Sequence, residues 1–208
     1  MPRWPLPIRT IAGIAAAAFA LGAAPARADP AIPTSTCLPE DLPESANWPV
    51  MAIYLHGWFA PSGPDDVAGN RAVEFANRAV LGEFARRHRI RIAAPLGLQI
   101  EPSNGMLEWG RADLPQIAQS SLQACHVPAL PKGIALIGFS NGGFKARDIG
   151  LLPCDELAGF SRILAVGTET RFPARCAGKF ESIPEHKFPP DDLGLLLDLS
   201  GAADGPTR

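Results

Sequence analysis

The sequence predicts an α/β fold with a mostly parallel sheet, and two patterns in its 208 residues support this. Short apolar runs alternate with stretches whose apolar residues recur at helical spacing, which is typical of α/β proteins. The run at 133–138 is apolar at nearly every position, as expected for a parallel strand that is covered on both faces. Hydrophobic residues make up 47% of the chain, a usual share for a globular domain. We therefore expect a single domain.

Five short apolar runs predict the strands, and three helical patterns lie between them. The predicted strands cover 50–55, 90–94, 133–138, 162–166 and 193–199. The predicted helices cover 71–88, 113–124 and 144–152, with Asp113 positioned to cap the second. The apolar residues at helical spacing in the first helix are Val73, Ala76, Val80, Leu81 and Phe84. Proline-rich residues 29–49 predict a surface lead-in, and 95–112 predict a long loop.

The first 28 residues are predicted to be a secretory signal peptide. Arg3 and Arg9 precede an apolar stretch over 11–24, and Ala-Arg-Ala at 26–28 forms a small-residue cleavage site. A membrane anchor is the alternative, but 14 apolar residues fall short of the ~20 that span a bilayer. We expect a secreted or periplasmic chain, residues 29–208, with no membrane contact after cleavage.

The charge pattern excludes one class of partner. Charged residues make up only 19% of the chain, and the formal net charge of −2 becomes −5 when three arginines leave with the signal. The longest basic run is Arg86-Arg87-His88-Arg89. We therefore expect no nucleic-acid partner.

Four cysteines remain in the exported chain: Cys37, Cys125, Cys154 and Cys176. An even number in an oxidising compartment predicts two disulfide bonds, with four free thiols as the alternative. The spacing leaves all three pairings open. The absence of a C-x-x-C pair argues against a zinc site or a thioredoxin-like redox motif, so no metal is expected.

A candidate nucleophile lies in the sequence Gly-Phe-Ser-Asn-Gly-Gly at 138–143, which matches the pattern G-x-S-x-G. It directly follows a predicted strand and directly precedes a predicted helix, the strand–turn–helix setting of a nucleophilic serine. Such a sharp turn requires minimal side chains two residues on either side of Ser140, and Gly138 and Gly142 meet this requirement. The helix N-terminus favours a developing oxyanion. An ordinary glycine-rich loop is the alternative.

A second motif, His56-Gly57-Trp58, ends an earlier predicted strand. An oxyanion takes two N–H donors, one from the residue after the nucleophile and one from the loop after this earlier strand. The corresponding backbone positions are Asn141 and Trp58. Because His56 precedes the serine in the chain, it is predicted to be a structural residue of the loop. Trp58 and Trp109 are candidates for lining an acyl pocket, with core packing as the alternative.

A third motif lies near the C-terminus, where Gly-Ala-Ala-Asp at 201–204 follows the last predicted strand. An acid just past a late strand lies where a triad carboxylate orients the base histidine. Asp204 is therefore the candidate acid, and a turn aspartate is the alternative.

In this order the motifs resemble those of α/β-hydrolases, most of all the secreted poly(3-hydroxybutyrate) depolymerase and feruloyl-esterase-like branch. The resemblance is carried by residues 54–57, 113–114, 138–143 and 152–160 and spans roughly 48–206. It implies a three-layer sandwich and an ester hydrolase with a Ser–Asp–His triad and no metal or organic cofactor. It also implies small-molecule or polymer ester substrates, namely short polyesters, plant phenolic esters and acetylated sugars.

The sequence departs from this family at the histidine. The family order is serine, acid, histidine, whereas no histidine follows Asp204 here. Of the four histidines only His186 follows Ser140, which makes it the candidate base. Glu169 is an alternative acid that keeps the family order. The segment around His186 has loop composition, so a solvated loop histidine is the other interpretation.

Three functions remain open for a hydrolase domain over 29–208 that is C-terminally shortened and lacks the last strand and helix of the family. The first is a secreted serine esterase with an unusual base. The second is a catalytically impaired or dead relative that binds an acyl or glycan ligand in the same cleft. The third is a truncated product without a function of its own. The strand ending at Leu199 would then be a bare edge through which copies can pair.

Overall fold

The computed structural model describes residues 35–43, 46–58, 67–97, 99–100, 107–110, 113–168, 176 and 178–183. All of these belong to one compact unit, Ile32–Arg208. The predicted signal peptide, 1–28, and the predicted strand 193–199 lie outside the described residues.

A six-stranded, mostly parallel sheet forms the centre of the described structure. The strands in chain order are β1 (Thr36–Leu38), β2 (Val50–Leu55), β3 (Arg91–Ala94), β4 (Gln99–Ile100), β5 (Leu107–Glu108), β6 (Ile134–Phe139), β7 (Phe160–Val166) and β8 (Phe180–Ile183). The sheet has the order β1-β3-β2-β6-β7-β8, and in it β1 runs antiparallel while the other pairs are parallel. β4 and β5 form a separate antiparallel pair. The predicted α/β class with a mostly parallel sheet is confirmed.

Helices cover both faces of this sheet. They are α1 (Val67–His88), α2 (Leu114–Cys125) and α3 (Asn141–Gly150). Side chains alternate between two buried clusters along β2: Ala52 and Tyr54 pack with α1, whereas Ile53 and Leu55 pack with α2 and α3. This arrangement explains why the central strands β2 and β6 are apolar at nearly every position. In the described part of the chain, no helix is long and apolar enough to cross a bilayer.

The helix boundaries shift modestly from those predicted. The Asp113 cap is confirmed: its carboxylate accepts from the Gln116 backbone N–H (2.8 Å), and the Gln116 side chain accepts from the Asp113 N–H (3.1 Å). α1 begins four residues and α3 three residues before the predicted position. The earlier start of α3 brings the helix up to Ser140.

The surface lead-in predicted over 29–49 is wrong for Thr36–Leu38, which forms the strand β1. Leu38 is only 2% exposed, and β1 pairs with β3. Three residues are too few to show a hydrophobic pattern, and β1 is held by its ladder and by a disulfide. The short strand β8 was likewise not predicted. The β4–β5 pair was not predicted either, and it lies within the predicted loop 95–112.

Two disulfide bonds are present, as predicted, and the structure selects one of the three pairings. Cys37 is bonded to Cys125, which ties β1 to the end of α2, with Cα atoms 4.8 Å apart. Cys154 is bonded to Cys176, which ties the turn after α3 to the segment before β8, with Cα atoms 5.5 Å apart. The disulfide bonds therefore anchor β1 at its central residue and the chain shortly before β8.

Loss of the Cys37–Cys125 bond is expected to destabilise the protein more than loss of the Cys154–Cys176 bond. The sequence separations of the two bonds are 88 and 22 residues. Breaking a disulfide raises the chain entropy of the unfolded state. The free energy of unfolding should therefore fall by about 4–5 kcal/mol without the Cys37–Cys125 bond and by about 3 kcal/mol without the Cys154–Cys176 bond. Urea unfolding of the two double Cys→Ala variants measures both losses. A larger loss for the shorter loop would contradict this account.

Candidate active site

Ser140 lies in a tight turn between β6 and α3, at the carboxyl edge of the sheet. Its backbone has φ 50° and ψ −113°, a strained conformation that non-glycine residues seldom adopt. The Ser140 N–H donates to the Val166 carbonyl (2.9 Å), and the Phe144 N–H donates to the Ser140 carbonyl (3.0 Å). The chain is therefore held in a strained strand–turn–helix arrangement around this serine.

Gly138 and Gly142 are packed so closely that no other residue fits. A Cβ at Gly138 would lie 2.0 Å from the Gly142 carbonyl oxygen, and a Cβ at Gly142 would lie 2.1 Å from the Leu55 carbonyl oxygen. Both obstacles are backbone atoms, which cannot rotate away. A Cβ at Gly143 would lie 2.6 Å from the Val166 carbonyl oxygen. These glycines let α3 lie directly against the ends of β2 and β7.

The Ser140 side chain takes no part in holding the turn. Ser140 is the N-cap residue of α3, a position where serine commonly bonds a backbone N–H, yet its side chain makes no such bond. The residue is half-buried. Its hydroxyl consequently makes no capping hydrogen bond and is open to a molecule in the adjoining pocket.

Two candidate oxyanion donors lie beside Ser140. The backbone N–H of Asn141 belongs to the first turn of α3, where N–H groups have no partner within the helix. On the other side, a Cβ built at Gly57 would lie 3.3 Å from the Ser140 Cβ, so the chain before Trp58 passes directly over the serine. Gly57, Trp58 and Ser140 line one small pocket. The structure therefore brings the two predicted donor positions to the same edge as the serine.

His56 is buried, and its hydrogen bonds link the loops around it. Its Nε2 accepts from the Gly97 N–H (2.7 Å), its Nδ1 bonds the Gly57 carbonyl, and its own carbonyl accepts from the Trp109 indole N–H (2.9 Å). Burial lowers the pKa of His56 to about 3. The imidazole is thus neutral at physiological pH, and its two nitrogens are occupied in fixing the loop next to Ser140.

The two tryptophans occupy different environments. Trp109 is fully buried, and its backbone N–H donates to the Asn141 side-chain oxygen (3.0 Å). It therefore packs in the core and anchors the first residue of α3. Trp58 is 46% exposed and lines the pocket with Ser140. Of the two, only Trp58 is available to contact a ligand there.

A buried polar cluster on α1 was not predicted. The Tyr54 hydroxyl donates to Glu74 Oε2 (2.9 Å) and accepts from Asn77 (3.2 Å), while Arg78 Nε donates to Glu74 Oε1 (2.6 Å). Burial raises the pKa of Glu74, and Arg78 opposes this rise. The sequence did hold one indication of this cluster. Positions 74, 78, 81 and 85 share one helix face, and Leu81 and Ala85 make part of that face apolar.

Of the apolar residues predicted at helical spacing on α1, Leu81 is buried and Phe84 packs against the core, whereas the two valines face solvent. Val73 and Val80 are 42% and 43% exposed, whereas Glu74, Asn77 and Arg78 are buried against the sheet. Helical spacing of valines alone was therefore misleading, because the cluster around Tyr54 supplies polar partners inside the protein.

Ser140 and Glu74 share a small pocket of about 80 Å³, whose described lining also includes Gly57, Trp58, Val73 and Phe139. A larger cavity of about 570 Å³ lies by the Cys37–Cys125 bond and shares no described lining residue with it. No group of three His, Cys, Asp or Glu side chains that could hold a metal is found in the described ranges.

The other predicted triad members lie outside the described residues. These are the candidate base His186, the candidate acid Asp204 and the alternative acid Glu169. Their roles stay predictions from the sequence. What the structure brings together is Ser140, the Gly57–Trp58 loop and the start of α3.

Comparison of the chain with protein-family models, with curated proteins and with solved structures found no match. The resemblance to α/β-hydrolases consequently stays a prediction from the sequence motifs.

Gly142→Ala is expected to lower the free energy of unfolding by at least about 3 kcal/mol, because its Cβ would overlap the Leu55 carbonyl oxygen. Gly159→Ala is the matched control, since a Cβ there meets nothing within 4 Å. Chemical denaturation of both variants measures the difference. Similar stability of the two variants would show that α3 does not approach β2 so closely.

Stability is expected to fall as the pH drops from about 6.5 towards 3 because of His56. Its pKa is about 3 in the folded protein and near the ordinary 6.5 when unfolded, so within this range only the unfolded chain binds the proton. The His56 contribution amounts to about 1.4 kcal/mol per pH unit. Urea unfolding between pH 7 and 4 should show a shallower pH dependence for His56→Gln than for the wild type, and an equally steep dependence would contradict this account.

Proposed function

We propose that this chain is a secreted or periplasmic serine ester hydrolase of the α/β-hydrolase kind, with Ser140 as its nucleophile. The observation that carries this proposal is the strained Ser140 backbone between β6 and α3, with backbone atoms about 2 Å from any Cβ at Gly138 or Gly142. Strained conformations at polar residues persist where function requires them. A sharp strand-to-helix turn that presents a serine hydroxyl is the nucleophile arrangement of such enzymes.

In the proposed acylation step, the Ser140 oxygen forms a bond to the carbonyl carbon of a carboxylic ester. The negative charge that develops on the carbonyl oxygen is stabilised by the backbone N–H groups of Trp58 and Asn141, assisted by the N-terminus of α3. The bond from carbon to the alcohol oxygen then breaks, and the serine proton leaves with the alcohol. The product is an acyl ester of Ser140.

The serine needs a base, because a neutral alcohol is a poor nucleophile at neutral pH. His56 is unsuited to the task, since both of its ring nitrogens are engaged and burial lowers its pKa to about 3. We assign the base to His186, oriented by Asp204 or by Glu169. The two disulfide bonds support export to an oxidising compartment, in keeping with the predicted signal peptide.

The proposal predicts that a fluorophosphonate probe labels the purified protein at Ser140. Such probes react with serines that a base has activated, so Ser140→Ala should abolish labelling. Ser120→Ala, which changes a half-buried serine on α2, is the control and should label like the wild type. Gel fluorescence and intact-mass spectrometry report the adduct.

His186→Ala should slow the labelling by at least about a hundredfold if this histidine is the base. Absence of labelling in the folded wild-type protein would contradict the esterase proposal. A folded protein that binds acyl or glycan ligands without turnover would then be a non-catalytic relative.

A further inference from the structure

A buried carboxylate shares the pocket of the candidate nucleophile. Glu74 is only 3% exposed, and it is the one ionisable side chain among the described residues that line this pocket. The volume of about 80 Å³ holds a few water molecules, well below the space that a drug-sized ligand requires. The pocket is thus lined by the candidate nucleophile and by a residue that carries a carboxylate, and it has room for water.

The hydrogen bonds of Glu74 fix the carboxylate without saturating it. One oxygen accepts from Arg78 and the other from the Tyr54 hydroxyl. An ionised carboxylate offers about four acceptor sites, so each oxygen keeps the capacity to accept another hydrogen bond. The neighbouring Arg78 favours the ionised form, while burial raises the pKa of Glu74 and so makes it a stronger base than an exposed carboxylate.

Glu74 does not contact the serine hydroxyl directly. Among the described residues its carboxylate bonds Tyr54 and Arg78, and no hydrogen bond joins it to Ser140. A proton can pass between the two side chains only through a molecule that occupies the pocket between them. Water is the small proton donor that an ester hydrolase consumes.

We infer that Glu74 binds and deprotonates the water that hydrolyses the acyl-Ser140 intermediate. This inference rests on the proposed esterase function. The water oxygen forms a bond to the acyl carbon, and the bond from that carbon to the Ser140 oxygen breaks. Glu74 takes a proton from this water, and a second water molecule in the pocket relays a proton to the departing Ser140 oxygen. Ester and water give carboxylic acid and free serine, with no other reactant.

The test separates the two chemical steps. The full-length mature protein is mixed with p-nitrophenyl acetate, the release of p-nitrophenol is followed by stopped flow, and the acetyl adduct is followed by intact-mass spectrometry. In Glu74→Gln we expect acylation within about threefold of the wild-type rate. Deacylation should fall about a hundredfold or more. One equivalent of acetyl-Ser140 then accumulates. Glu83→Gln, at an exposed position of the same helix, should behave like the wild type.

Each other outcome overturns the inference. If Glu74→Gln slows both steps by the same factor, Glu74 supports the site only by packing. If it changes neither step, another base activates the water, as a histidine does in a Ser–Asp–His triad. If the wild type neither releases p-nitrophenol above the Ser140→Ala background nor forms an adduct at Ser140, the esterase proposal itself fails, which is a different result from acylation without selective loss of deacylation.

A second variant covers the case in which Glu74→Gln does not fold. Val73 lines the pocket yet is 42% exposed, so Val73→Phe narrows the water space without disturbing the core. We expect slower deacylation with acylation unchanged. Val80→Phe is the matched control, at an equally exposed position of α1 outside the described lining. Slower acylation with unchanged deacylation would mean that the pocket holds the acyl group, and would overturn the inference.

Discussion

The parallel pairing of β2 with β6 is the interaction on which the rest of the site depends. Leu55 lies opposite Gly138 in this ladder, so the residues two positions further along, Gly57 and Ser140, emerge side by side at the carboxyl edge. A shift of the register would move the Gly57–Trp58 loop away from the serine and turn the buried side chains of β2 to the wrong face. The packing that fixes the register in the core thus also brings the candidate oxyanion donors to the nucleophile.

The close approach of α3 to the sheet adds a second constraint. Because backbone meets backbone at Gly138 and Gly142, the helix has little freedom to slide, and the turn that connects it to β6 must accept a positive φ at Ser140. The Trp109 N–H to Asn141 bond holds the first residue of α3 from the side. Strain in the serine backbone is therefore sustained by these contacts and by the backbone hydrogen bonds of Ser140, without a capping bond from its hydroxyl. A hydroxyl that is not needed for capping is available for chemistry.

The sequence predicted those parts of the fold that follow from local physics. Strands buried on both faces are apolar at every position, and the turn at Ser140 requires glycines at fixed spacing, so β2, β6 and the serine motif could be recognised. Thr36–Leu38 could not, since a three-residue strand depends on a ladder and a disulfide formed by distant residues. The polar part of the buried face of α1 was not predicted, because Glu74 finds its partners on β2 and on its own helix, and only the folded chain brings Tyr54 to it. The candidate oxyanion positions were predictable from motifs, but the pocket that joins Glu74 to Ser140 was not.

The buried cluster around Glu74 is difficult to explain by stability alone. Moving a carboxylate and a guanidinium out of water costs several kcal/mol per ion, and their mutual attraction often does no more than offset this cost. Apolar side chains at positions 74 and 78 would extend the surface formed by Leu81 and Ala85, and replacing a buried ion pair by apolar residues is often neutral or stabilising. Perturbed ionisable groups concentrate at functional sites, where an altered affinity for protons is useful. The cluster lies beside the strained serine, and Glu74 lines the same pocket, so a role in proton transfer gives the buried charges a reason that packing does not supply.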